Sequence, residues 1–378
     1  MSVRKRKWMT RSGETKEAWI VDYNHEGNRT MRTFPLKKDA DAFAQQTAVD
    51  IRAGTHTPVN RSITVAKAAE DWLESVRLDN RERTTLDYYR QHAAHITKHI
   101  GNLKLASLTA SRANTFRDEL LATVSRPLAR KVLTSLRSLL RDAQSRGNVA
   151  QNVGLSIKRV DADGRGKKKL KIGEDMPSVD EIKALITAMP DNRWRPMLLT
   201  AIFTGLRASE LRGLRWDCVD LKAGVVHVRQ RADRYGEIGK PKSKAGHRTV
   251  PLPPMGLNTL REWKLKCPHS ELVFPTVSGR ISRYNDIGRA LQAAGRRAGL
   301  LDAEGKPKYS GLHALRHFYA SWCINPIDRG GQGLPPKVVQ ERLGHSSIVM
   351  TMDTYGHLFP DERDAEKRLA DAERALLS

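Results

Sequence analysis

The chain is poor in cysteine, poor in aromatic residues, short of acids for its bases, and without any long apolar run. Three cysteines, Cys218, Cys267 and Cys323, are scattered over 378 residues with no CxxC pair. That argues against a disulfide framework and a zinc site and suits a reducing cytosol. The apolar stretches, such as Met197-Leu198-Leu199 and Ala201-Ile202-Phe203, fall far short of the ~20 residues that cross a bilayer. Met1 to Lys7 is basic, but no apolar core follows, so it does not read as a secretory signal. No membrane partner is expected, and a cytoplasmic protein is. Aromatics are 6% of the residues, too few for recognition built on base stacking, and no RNP-type sheet motif occurs. No P-loop pattern and no cluster of carboxylates for a two-metal site appear either, so no cofactor is expected.

The remaining shortage is of acids. Asp and Glu number 42 against 66 Lys and Arg, a formal charge of +24. Such an excess points to a polyanionic partner, nucleic acid first. The apolar fraction of 39% suffices for packed cores, and the length suggests two or three domains.

Residues 1–57 read as a small β-then-α unit. Trp19 to Tyr23 is rich in strand formers, Asn24 to Asn28 is a turn, and Arg29 to Phe34 alternates, which together read as a β-hairpin. Lys37 to Ile51 follows at helical spacing, with Ala40, Phe43, Ala44 and Ala48 on one side. Arg29 and Arg32 are candidate phosphate contacts. Residues 63–154 read as wholly helical. One helix carries Val65, Ala69, Trp72 and Val76 on a stripe; another starts at Ser125-Arg126-Pro127 and ends at Gly147. The second buries Leu128, Val132, Leu136, Leu139 and Ala143 and leaves Arg130, Arg137 and Arg141 outside. Residues 155–175 form a linker whose centre, 158–171, holds seven basic residues and two acids. It has too little apolar surface to order itself.

Residues 176–360 mix helices with a short β region. Ser178 and Glu181 have capping-box spacing. Val225–Val228 and Arg248–Leu252 are strand-like around a Gly- and Lys-rich turn, and helices are expected at 283–298, 311–324 and 336–343. In 361–378, Ala365, Leu369, Ala372 and Leu376 give a narrow apolar stripe that docks on its own domain or on a neighbouring subunit. The fold class is thus mixed and mainly α, with a small β-rich N-terminal unit, a helical domain and an α+β third domain.

Four segments of the third region carry candidate chemistry. In Thr204-Gly205-Leu206-Arg207, an arginine follows a helix end and opens the next helix, beside free backbone N–H groups. In Pro241-Lys242-Ser243-Lys244-Ala245-Gly246-His247-Arg248, a lysine on a turn can reach outward. In His313-Ala314-Leu315-Arg316-His317, His313 and Arg316 share a helix face. His313 and His317 have metalloprotease spacing, but Ala314 stands where that motif needs Glu, so no metal is expected. The fourth is Leu343-Gly344-His345, followed ten residues after the histidine by Tyr355.

TGLRASEL, PKSKAGHRTVPL, HALRH and LGHSSIVMTMDTYGHLFP, in that order and over about 150 residues, resemble the tyrosine recombinase family, the phage integrases. The first two regions resemble the arm-binding and core-binding units of its longer members. The resemblance implies roles. Tyr355 is the nucleophile, Arg207 and Arg316 clamp the scissile phosphate, and His313 and His345 bond it and handle protons. Lys242 is the acid for the leaving 5′-oxygen, with Lys244 as the alternative. Glu210 fits the family's acidic residue three after the first arginine and is expected to orient Arg207; His317 matches a common family residue and is read as structural. It also implies double-stranded DNA as substrate, cleavage through a 3′-phosphotyrosyl link, integration or excision of a phage or other mobile element, and a homotetramer on DNA. A DNA-bending protein or directionality factor is a candidate accessory partner.

The chemistry stands without the family name. Two guanidiniums neutralise a phosphodiester that repels nucleophiles. A tyrosine hydroxyl of pKa ~10 needs that field or a base. The basic leaving oxygen needs an acid. The rivals are a topoisomerase using the same tyrosine chemistry, which the arm-like unit and the length disfavour, and a catalytically inactive DNA-binding regulator, which six candidate residues disfavour.

Overall fold

The computed structural model describes residues 1–10, 13–25, 27–54, 56–57, 62–160 and 169–359, with Leu369, Glu373, Arg374, Leu376 and Leu377. The middle of the expected basic linker, 161–168, and nearly all of the expected C-terminal helix lie outside the described residues. Two compact units result, residues 1–165 and 166–378.

The first unit opens with a three-stranded antiparallel sheet, β1 (Ser2–Met9), β2 (Thr15–His25) and β3 (Asn28–Phe34), followed by α1 (Lys37–Arg52). Val21 and Tyr23 of β2 pack on Ala40 and Ala44 of α1. β1 is absent from the sequence reading for a physical reason. It is an edge strand whose residues are exposed except for half-buried Val3, so it carries no apolar alternation. The sheet also separates the two candidate arginines. In the register Val21 faces Arg32, Asp22 faces Met31 and Asn24 faces Arg29, so Arg29 and Arg32 lie on opposite faces. Arg29 stays exposed and bonds both oxygens of Asp22. Arg32 instead stacks over Phe34 and Phe43, its guanidinium carbon 5.4 and 4.7 Å from their ring centroids.

Helices α2 (Val65–Leu78), α3 (Arg83–Ile100), α4 (Ala110–Thr123) and α5 (Arg126–Ser145) complete this unit. Trp72, Ile96, Phe116, Leu133 and Leu136 fill their common core. The apolar stripe of α5 is broader than its sequence reading, with Ala129, Leu133 and Leu140 buried and Leu128 at its edge. Arg137 does not stand free. Its Nε donates to the Gly154 carbonyl at 3.0 Å and its Nη2 to that of Ile157 at 3.3 Å, tying the turn after α5 to the helix.

The second unit starts with α6 (Val179–Ala188), capped as its sequence implies. The Ser178 N–H donates to Glu181 Oε2 at 2.8 Å, and the Glu181 N–H donates to Ser178 Oγ at 3.2 Å. Glu181 also accepts from Lys308 Nζ at 2.7 Å and from the Tyr309 hydroxyl at 2.8 Å. Ser178→Ala should therefore cost about 1 kcal/mol in thermal denaturation, and Glu181→Ala clearly more.

Helix α7 (Trp194–Thr204) is buried nearly all round and stops at Gly205, whose φ of 59° is left-handed. A Cβ there would stand 2.4 Å from the Tyr319 ring, so only glycine fits. Then come α8 (Ala208–Arg212) and the short strands β4 (Val219–Asp220), β5 (Val225–Val228), β6 (Arg231–Ala232), β7 (Ile238–Gly239) and β8 (Arg248–Pro251). β5 pairs antiparallel with β8, and β6 pairs with β7 as a separate ribbon between them. The expected simple turn is thus a ribbon plus the lysine-bearing loop. Helices α9 (Pro254–Lys266), α10 (Tyr284–Arg297), α11 (Leu312–Ile324), α12 (Pro336–Leu343) and α13 (Ile348–Tyr355) follow. α10, α11 and α12 lie within a residue or two of where the sequence places them, and α13 has no counterpart in the sequence reading. Leu199, Ile202, Leu211, Phe274 and Leu315 belong to the main core, and Tyr319, Val339, Leu343 and Tyr355 to a second one. Among the described residues no helix is long and apolar enough to cross a membrane.

Candidate active site

The site is organised by the end of one short helix. The last carbonyls of α12 lack intrahelical partners and carry the negative end of its dipole. Three arginines from three other elements meet them. Arg248 of β8 donates Nε to the Arg342 carbonyl at 2.7 Å. Arg316 of α11 donates Nη2 to the Leu343 carbonyl and Nη1 to the Gly205 carbonyl at 2.7 Å. Arg207, the N-cap of α8, donates Nη2 to the Gly344 carbonyl at 3.3 Å. Gly344 ends α12 in the left-handed region at φ 63°, and a Cβ there would lie 2.9 Å from the Ala245 carbonyl oxygen and from Arg248. The turn that carries His345 is therefore pressed against both the lysine-bearing loop and the arginine cluster.

Glu210 holds two of these arginines. It accepts from Arg207 Nη1 at 2.9 Å and from the Arg207 backbone N–H at 2.9 Å. Arg248 grips it bidentately, Nη1 to Oε1 at 3.1 Å and Nη2 to Oε2 at 2.8 Å. Burial raises the pKa of Glu210, but Arg248 and Arg207 outweigh it and hold the carboxyl down at about 2. Arg316 is 3% exposed; burial, then the charges of Arg207 and Arg248, pull its pKa down to about 9. It remains a cation at neutral pH. Arg207 is the more open of the pair, its side chain 36% exposed.

Tyr355 ends α13 and is buried. Its hydroxyl lies 2.7 Å from His317 Nδ1. Burial pushes its pKa up to about 12, against the pull of Arg316 and Arg207. The His345 ring is stacked on the tyrosine, 6.4 Å between centroids and 4° between planes. His345 Nδ1 pairs with Thr351 Oγ1 at 2.9 Å, and its carbonyl accepts from Gln340 at 3.1 Å. Burial and the three arginines lower its pKa to about 4. His313 meets His317 edge to face at 4.6 Å and stays exposed. Partial desolvation of its ring, then Arg316 and Arg207, lower its pKa as well. All three imidazoles are thus shifted toward their neutral form.

Arg207, His313, Arg316, His345 and Tyr355 are thus brought together. Lys242 is not among them. It is exposed on the loop between β7 and β8, and among the described residues it makes no hydrogen bond to the cluster. The base of that loop is firm, because a Cβ on Gly246 would stand 2.5 Å from Pro241. Lys244 begins the 3-10 turn Lys244–Gly246 one step further on. Two participants carry no catalytic role in the sequence reading. Arg248 lies inside PKSKAGHRTVPL, but its partners are distant in the chain. His317, read as structural, is on the tyrosine hydroxyl; its place four residues after His313 was the available signal.

Paired guanidiniums, imidazoles shifted toward the neutral form and a tyrosine hydroxyl in one cluster define the kind of centre that transfers a phosphoryl group to a side-chain oxygen. Residues 178–362 match the model of the phage integrase family. A tyrosine recombinase XerC-like protein of Caldanaerobacter subterraneus is 26% identical over 356 residues, 86% of this chain and 87% of its own. The Tn1549 transposon integrase, solved with transposon right end DNA, superposes with a TM-score of 0.64 at 18% identity, over 82% of this chain and 100% of that one. The lambda integrase tetramer bound to a Holliday junction gives 0.58 at 17% identity, over 90% of this chain and 95% of its own. The chain belongs to the tyrosine recombinase family and is a site-specific DNA recombinase.

Proposed function

We propose that the chain cuts duplex DNA at defined sites through a 3′-phosphotyrosyl bond on Tyr355, exchanges strands and rejoins them, and so integrates or excises a mobile element. The observation that carries this reading is the buried Tyr355 hydroxyl within the field of Arg207 and Arg316. Each guanidinium spends two donor groups on the protein. A guanidinium has five N–H groups, so each keeps donors for phosphate oxygens. His313 and His345 are neutral rings that donate to a non-bridging oxygen. Lys242, on a firm-based exposed loop, protonates the 5′-oxygen as it leaves. The phosphotyrosyl bond keeps the free energy of the phosphodiester, so rejoining needs no nucleotide.

The partner is double-stranded DNA, and the assembly is a tetramer on two sites. The Tn1549 and lambda integrase complexes support the first by likeness of fold, and the lambda integrase tetramer supports the second. The N-terminal sheet serves as an arm-binding unit, α2 to α5 as the core-binding domain, and residues from about 176 as the catalytic domain. Accessory bending or directionality proteins act with it, in the cytoplasm at the nucleoid.

The test uses duplexes spanning the direct repeats that flank the coding element. Incubation should yield a denaturation-resistant protein–DNA adduct and recombinant product. Relaxation of supercoiled plasmid without exchange between two sites would make the chain a topoisomerase instead. On nicked duplex, Lys242→Ala should slow cleavage about 100-fold and Lys244→Ala much less. A 5′-bridging thiol, which leaves without a proton, should restore the slow variant. Equal losses from the two lysines would discard the choice of Lys242.

A further inference from the structure

We propose that His317 is the base that receives the Tyr355 proton during strand cleavage, a catalytic residue in addition to those placed above. The inference rests on Tyr355 being the nucleophile. Among the described residues, the one hydrogen bond of the Tyr355 hydroxyl is to His317 Nδ1, at 2.7 Å. The other two imidazoles are not so placed. His345 lies parallel to the phenol ring at 6.4 Å, presenting a face, and His313 touches the edge of His317 rather than the hydroxyl. The two rings of the bonded pair are tilted by 61°, with centroids 5.6 Å apart. The sequence produces this geometry by placing His317 one residue past Arg316 on α11 and Tyr355 at the last position of α13. The clamp arginine and the base thus move as one rigid element.

The groups facing His317 set when transfer happens. On its own helix these are His313 and Arg316; from α13 it is Tyr355; from the segment before α6 it is Asp175. Burial, then His313 and Arg316, lower the pKa of His317 to about 4, with Asp175 opposing them. Tyr355 stands at about 12. With no phosphate in place the proton therefore stays on the phenol, and the buried nucleophile is inert. A scissile phosphate between the guanidiniums offsets the cations that depress His317. As the phenolic oxygen bonds to phosphorus, its O–H becomes strongly acidic.

The step balances. The Nε2–H tautomer of His317 accepts the proton on Nδ1 while the O–H electron pair stays on the tyrosyl oxygen. That oxygen forms the P–O(Tyr) bond. The P–O5′ bond breaks, its electron pair leaves with O5′, and O5′ takes a proton from the acid. In rejoining, the 5′-hydroxyl gives its proton back to the conjugate base of the acid as it attacks phosphorus. The P–O(Tyr) bond breaks, and the imidazolium returns its proton to the tyrosyl oxygen.

The full chain is assayed by single-turnover adduct formation on nicked duplex. His317→Ala should lower the rate about 100-fold, and imidazole added to the buffer should recover part of it. His317→Gln keeps an acceptor for the hydroxyl but cannot take the proton, so it should lose about as much. A 5′-bridging thiol should leave both variants slow, because it relieves the leaving group and not the nucleophile. Duplex affinity and thermal midpoint, measured in parallel, report whether the variants remain folded. A His317→Gln rate within threefold of the parent, or restoration of either variant by the thiol substrate, overturns the assignment. Tyr355→Phe is the control on the underlying reading. Adduct formed by Tyr355→Phe would remove the nucleophile assignment itself, whereas its absence together with an unimpaired His317→Gln would remove His317 alone.

Discussion

Tyr355→Phe abolishes covalent capture of nicked DNA and leaves duplex binding within about twofold, because the change deletes the one atom that would bond phosphorus and nothing that faces the backbone. The ring is 2% exposed and packs in the second core with Tyr319, Val339 and Leu343, so Phe fills the same space. The variant loses one hydrogen bond, that to His317, and the cost to stability is about 1 kcal/mol. Tyr309 and Tyr319, also buried in this unit, are poor substitutes. Tyr309 spends its hydroxyl on Glu181 and the Met176 carbonyl, and burial pushes its pKa far up. Tyr319 is held beside Gly205 with its pKa raised by burial in the same way. The measurement is a denaturing gel of end-labelled duplex. A shifted, protease-sensitive band from the Phe variant would reassign the nucleophile.

Glu210→Ala is the second large effect, and it is first an effect on stability. The carboxylate is 3% exposed and the Arg248 side chain 5% exposed. Removing one member of a buried pair leaves an uncompensated charge and costs about 3–5 kcal/mol. Arg207 also loses its two bonds to Glu210, so cleavage falls beyond what the lost fold explains. The same pair sets an acid dependence. The folded pKa of Glu210 is about 2 and its ordinary value is 4.5. A depressed folded pKa means that the stabilisation is complete above pH 4.5 and is lost as pH falls from 4.5 toward 2. The amount is roughly 3 kcal/mol. Urea midpoints across that window should fall steeply for the parent and more shallowly for Glu210→Ala. A double variant, Glu210→Leu with Arg248→Met, should recover part of the stability and none of the cleavage. Recovery is partial because the Arg342 carbonyl then lacks the Arg248 donor. A parent chain with the same acid sensitivity as Glu210→Ala would show that the pair is not the titrating element.

The legible parts of the fold are those where one face is buried and one is wet. α2 buries Val65, Ala69, Trp72 and Val76 as its spacing requires, and α6 carries the Ser178–Glu181 capping box that its sequence spells out. β1 is illegible because an edge strand exposed on both faces has no pattern to read. Arg32 and Arg137 mislead for a related reason. A long basic side chain is polar in sequence, yet it can lay its guanidinium on rings or spend it on carbonyls, and only its neighbours decide. The strands β5 and β8 are read correctly from their apolar runs, but the ribbon of β6 and β7 between them is two residues to a strand, below any periodicity.

By itself the sequence determined the chemistry on offer: an excess of cations, a tyrosine in LGHSSIVMTMDTYG, two arginines and two histidines in short local motifs, and helices whose caps and stripes are set within a few residues. Local rules decide such features, so they can be read without a fold. The tertiary structure alone decided that the end of α12 is the meeting point of Arg207, Arg248 and Arg316, because those arginines come from positions 207, 248 and 316 and answer carbonyls at 342 to 344. It alone set Glu210 between two of them and His317 on the Tyr355 hydroxyl, 38 residues away in the chain. Charges and hydroxyls interact through space at a few ångströms, and which of them come that close is decided by packing rather than by spacing in the chain.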